Sequence, residues 1–193
     1  GIMKFILMDW LGMRGLYIGT ACLFWVLFIS KRYKANKDVL DTWGIRGTYL
    51  KQTFLALLPF AILVIAGIIW YGISLNFTFT NWHIIPILIL YPAWGMIQQF
   101  MMISLIAGNL EKMSSLNLKD AQIILITSVL FALIHYPIPL LMIYAFVMEF
   151  IFTTVFFKWR NLWPLGLYHG WTGGLFLFFV LGRDLWHELW PIF

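Results

Sequence analysis

The sequence predicts an all-α integral membrane protein, a polytopic bundle of about six transmembrane helices with amphipathic helices at the interface. Three observations lead to this class. Of 193 residues, 62% are hydrophobic and 11% charged, whereas a soluble domain carries roughly 25% charged residues. Several stretches reach the roughly 17–25 apolar residues that cross a hydrocarbon layer. Nearly every charge falls between those stretches, as the cost of an ion in lipid demands.

Ahead of the first span, Met3 to Met13 scatters Lys4 and Asp9 among large apolar residues, with Arg14 following. That pattern suits a helix lying in the interface. No small-residue cleavage site follows a short apolar core, so a cleaved signal peptide is not expected. Gly1-Ile2 ahead of Met3 is open to reading as a cloning remnant.

The spans read as Gly15 to Ser30, Thr53 to Leu75, Ile84 to Ala107, Ala121 to His135, Leu140 to Phe157 and Leu162 to Leu181. Lys31 and Arg32 close the first. The fourth is short and is broken by Pro137 and Pro139, which favours a tight hairpin of spans four and five or, alternatively, a count of five. Between spans one and two, Val39, Leu40, Trp43, Ile45, Tyr49 and Leu50 interleave with charges. An amphipathic surface helix is expected there, with Trp43 as its interfacial anchor.

Basic residues follow alternate spans: Lys31, Arg32, Lys34, Lys37, Arg46 and Lys51, then Lys112 and Lys119, then Lys158 and Arg160. Such loops are retained on the cytoplasmic side, so the amino terminus is expected outside. The net charge of +5 and pI near 9.4 fit attraction to anionic lipid. No aromatic-interleaved basic patch points to nucleic acid. Cys22 is the lone cysteine, which excludes an internal disulfide, and no Cys and His set suggests zinc. Asn76-Phe77-Thr78 matches a glycosylation sequon, a frequent chance match.

No linker or repeat divides residues 1–193, so one membrane domain is expected. Trp10, Trp70, Trp82, Trp159, Trp163, Trp186 and Trp190 fall near span ends, as in an aromatic belt. Gly170, Gly173 and Gly174, with Thr172, allow close helix approach in the last span.

Polar side chains inside hydrocarbon cost on the order of a few kcal/mol, so each needs a partner or a function. The candidates are Gln98, Gln99, His135, Glu149 and His169. A rise of about 1.5 Å per residue places Gln98, Glu149 and His169 at depths of roughly 10–15 Å, with His135 about 20 Å deep. Glu149 is the one carboxylate well inside a span, readable as a neutral acid or as the partner of a histidine.

These residues resemble the CAAX protease and bacteriocin-processing family of glutamic intramembrane endopeptidases. Its motifs are Glu-Glu-x-x-x-Arg, Phe-x-x-x-His and His-x-x-x-Asn or Asp. The second stands here as Phe131-Ala132-Leu133-Ile134-His135, and the third is half present as His169-Gly170-Trp171-Thr172-Gly173. The resemblance covers roughly Tyr91 to Val180, a core of about 91–180. It breaks in the chemistry: Gln98-Gln99 replaces the acids, Ile103 the arginine and Gly173 the final Asn or Asp.

In that family the resemblance implies a glutamate that activates water and histidines that position it and stabilise the oxyanion. A carboxamide cannot be that base. The expectation is a noncatalytic relative, a subunit or binding component of a membrane complex with a membrane-protein partner and no cofactor. One alternative is an active endopeptidase in which Glu149 works with His135 and His169. Another is a haem- or chlorin-binding subunit with His135 and His169 as axial ligands. No phosphate loop, serine constellation or nucleotide fingerprint is present.

Overall fold

The apolar runs fold as helices whose ends are set by the charges and prolines flanking them. The computed structural model describes residues 5–75 and 82–189, with no strand among them. Helix α1 spans Arg14–Ala35, α2 Leu50–Ser74, α3 Ile84–Lys112, α4 Asp120–Leu133 and α5 Pro139–Trp159. Helix α6 runs Trp163–Leu175 and continues through π-helical Phe176–Val180, and α7 is Leu185–Leu189. Pro139 and Pro164 sit in first turns, where a missing N–H costs nothing.

Four helices, α1, α2, α3 and α5, are long and apolar enough to cross a membrane. The fourth and sixth segments of the sequence reading are helical without meeting that standard. Helix α4 has 14 residues, about 21 Å of rise against a hydrocarbon core of roughly 30 Å. It packs along α5, in the hairpin arrangement that the prolines suggested.

Where α3 meets α6, the backbones touch. A Cβ on Gly95 would lie 2.7 Å from the Gly166 carbonyl oxygen and from the Gly170 nitrogen, and one on Gly170 only 2.3 Å from the Pro92 Cα. Gly174 packs similarly on Ile87. Helix association in lipid depends on such close packing, because burial from water drives little there.

The segment before α2 departs from expectation. It forms a single turn, Val39–Thr42, and Trp43 is a core residue, 7% exposed, rather than an interfacial anchor. Its ring stacks on Phe28 at 6.0 Å and meets Phe100 edge-on at 5.0 Å. The cause is a clasp at the α5–α6 corner. Gly44, at φ +76, accepts from the Leu162 N–H at 2.8 Å, and Ser104 donates to the Trp43 carbonyl at 2.7 Å. Asn161 donates to the carbonyls of Arg46 and Thr48, both at 2.8 Å. Arg46 in turn caps α5 by donating to the carbonyls of Arg160 and Trp159 at 2.8 and 3.0 Å, while Arg160 pairs with Glu111. The backbone of this stretch is thus held by Ser104 and Asn161 from elsewhere in the fold, and Arg46 reaches back to the end of α5.

Trp10, Trp70, Trp82 and Trp163 are exposed near helix ends, and Trp159 and Trp186 are half-buried. Trp190, the sequon at Asn76-Phe77-Thr78, Gly1-Ile2 and the start of the Met3 to Met13 segment lie outside the described residues.

Candidate functional site

Helix α3 changes character at Gln99: its regular turns end there and π-helical turns run from Phe100 to Ala107. Such widened turns recur at functional positions. Gln99 meets Glu149 of α5 and His169 of α6, and the three are 0%, 0% and 4% exposed. The Gln99 Nε2 donates to Glu149 Oε2 at 2.9 Å and lies 3.0 Å from His169 Nδ1. With the amide in this orientation its two hydrogens serve both neighbours, which makes His169 the neutral tautomer protonated on Nε2. Thr153 donates to Glu149 Oε1 at 3.4 Å. Among the described residues, Gln99 Oε1 is a buried acceptor without a partner.

Gln98 is half-buried and points about 100° away around the helix, so Gln99 rather than Gln98 enters this centre. His135, in the turn just past the end of α4, donates from Nδ1 to the Phe131 carbonyl in the last turn of that helix at 2.7 Å. Its link to the centre runs through the buried Phe131 ring, which meets His135 edge-on at 4.8 Å and His169 at 5.5 Å. Sequence reasoning treated that phenylalanine as a motif marker and missed this contact. It also missed Tyr144, which donates to Thr172 Oγ1 at 2.7 Å and joins α5 to α6. A phenol in the same span as Glu149 was the available signal.

The two remaining departures from the motif have structural counterparts. Ile103 is fully buried in the cluster that includes Phe131, Phe152 and Phe156, an apolar setting with no place for a guanidinium. At Gly173, a Cβ would lie 3.3 Å from His169 Cδ2 and 3.8 Å from its Nε2. That position therefore addresses the Nε2 edge of the imidazole, and a glycine supplies it no acceptor. The two groups able to move a proton, Glu149 and His169, are joined through a carboxamide that can neither take one up nor pass one on as an acid.

The architecture defines a multi-pass helical membrane protein whose polar side chains meet inside the bundle. Residues 80–175 match the family described as Type II CAAX prenyl endopeptidase Rce1-like, a stretch that contains Gln98, Gln99, Ile103, His135, Glu149, His169 and Gly173. The chain belongs to the CAAX protease and bacteriocin-processing family. No curated protein and no solved structure matches it.

A second histidine cluster escaped sequence reasoning. His83 meets Asp184, 101 positions later, with His187 beside them. Neither local spacing nor membrane burial marks such a pairing.

Proposed function

We propose that this chain is a noncatalytic CAAX-protease-like membrane protein, acting as a subunit or binding component of a membrane complex. Gln99 is the observation that carries the reading. A general base must accept a proton, and this carboxamide occupies the facing atoms of both Glu149 and His169. Ile103 and Gly173 extend the same loss of chemistry to the other motif positions. Helix α1 supports a partner: it has no fully buried residue and leaves Leu23, Phe24, Val26 and Leu27 exposed, a face open to another helix or to lipid. In this reading α4 and α6 complete a six-segment, single-domain bundle in a bacterial inner membrane. The amino terminus is outside, in keeping with the basic loops.

The test has two parts. Purified protein in lipid vesicles is incubated with a prenylated CAAX peptide, and cleavage stays at the level of empty vesicles. Mild-detergent extraction from native membrane, followed by mass spectrometry, recovers a stoichiometric membrane-protein partner. Cleavage by the native chain sinks the noncatalytic reading.

That outcome would favour an endopeptidase using Glu149 with His135 and His169, a second reading supported by the position of Glu149 in the centre. It requires that Glu149→Gln abolish cleavage while leaving the protein folded.

A further inference from the structure

We propose that His83, Asp184 and His187 form a binding site for a divalent transition-metal ion, clamping the start of α3 to α7. One donor atom from each of His83, Asp184 and His187 lies within 4.8 Å of the other two. Asp184 Oδ2 is 2.5 Å from the His83 nitrogen and 3.8 Å from that of His187. Metal–ligand bonds of about 2.0–2.2 Å set neighbouring donor atoms of a tetrahedral zinc site roughly 3.4 Å apart. The first distance must open and the second close, adjustments within reach of side-chain rotation. His187, 60% exposed, has room to make them.

The surroundings prepare the carboxylate for this role. Its other oxygen, Oδ1, accepts from the backbone N–H groups of Trp186 at 3.1 Å and His187 at 3.4 Å, which turns Oδ2 toward both imidazoles. Fixing ligands through outer hydrogen bonds is how metal sites are oriented. The indoles of Trp82 and Trp186 pack on the His83 ring, at 4.3 and 6.3 Å. Arg14 and Arg183 are both paired with Glu188, at 2.8 and 2.5 Å, so that acid engages the neighbouring cations.

Two imidazoles and one carboxylate favour zinc-like ions over magnesium or calcium, which prefer all-oxygen shells. Three protein ligands leave a fourth position open. The competing account is a plain hydrogen bond between His83 and Asp184 with His187 as a bystander.

Full-length, tag-free protein in detergent is stripped with EDTA, freed of chelator, and titrated with Zn²⁺ against a chromogenic chelator. One ion per chain is expected, with affinity at least about tenfold weaker in His187→Ala and in Asp184→Asn and unchanged in His135→Ala. Co²⁺ should give visible ligand-field bands that His187→Ala removes. His187 is exposed, so its replacement leaves the fold intact and the comparison interpretable. Absence of saturable zinc binding overturns the site, as does equal affinity in the native chain and both ligand variants.

Discussion

The buried centre and the cluster at the start of α3 use the same chemical groups, a carboxylate and imidazole, in opposite surroundings. Sixteen helical residues, Ile84 to Gln99, or about 24 Å of rise, carry the chain from one to the other. In the centre, Gln99 stands between Glu149 and His169 and hydrogen-bonds to both. In the outer cluster Asp184 meets His83 directly and lies near His187, and the three side chains are 12%, 28% and 60% exposed in the order His83, Asp184, His187. The first arrangement holds helices together; the second is open to exchange with solvent. What a histidine and an acid can do is decided by the group between them and by their access to water.

The largest effect is expected where α3 and α6 touch, since that contact brings Gln99 to His169. Gly170→Leu drives a side chain into the Pro92 backbone, and overpacking of this kind costs about 1–3 kcal/mol or more. Size-exclusion profiles and thermal unfolding in detergent should show loss of the folded form. An unchanged melting temperature would mean that the two helices part readily and that the centre is not rigidly built.

Next comes the carboxamide. Gln99→Leu leaves Glu149 and His169 buried without their shared donor, a loss of about 1–3 kcal/mol detectable by denaturant unfolding. If stability instead rises, the polar centre is held at a cost and is retained for something other than structure. Gln99→Glu restores an ionisable group at the same place. In the prenylated-peptide assay it should remain inactive, because Ile103 and Gly173 are unchanged; cleavage would show that a single carboxamide silences the centre.

The smallest effect on stability belongs to the open cluster. Without metal, His187→Ala should change unfolding by no more than about 0.5 kcal/mol, as is usual for an exposed residue. A larger change would show that the imidazole is already part of the structure and would narrow the contrast with the centre.

Much of the helical plan was legible because its signals are local. Charges bracket apolar runs, Pro137 and Pro139 separate the fourth and fifth segments, and Gly170 marks a close approach. Membrane burial made Glu149 and His169 conspicuous before their contacts were known. What stayed hidden depends on distant partners or on register. Gln98 and Gln99 are adjacent in a helix that is apolar on every side, so composition could not choose which turns inward, and the π-helical turns after Gln99 follow no obvious local pattern. Trp43 looked interfacial because its neighbours are charged, yet its segment is held by Asn161, bonded to Thr48 across 113 positions. His83 and Asp184 present the same difficulty.

The clasp around Asn161 bears on how portable this architecture is. The family-matched stretch, residues 80–175, contains Asn161 and Leu162, but their partners Gly44, Arg46 and Thr48 lie outside it. An excised 80–175 fragment would present an unanswered amide and the uncapped end of α5. A chain cut between Leu75 and Trp82 keeps both halves of the clasp and should reassemble from its two pieces. Grafting onto a relative would likewise have to carry the 44–48 turn with the core, so the unit of inheritance is larger than the stretch that bears the motifs.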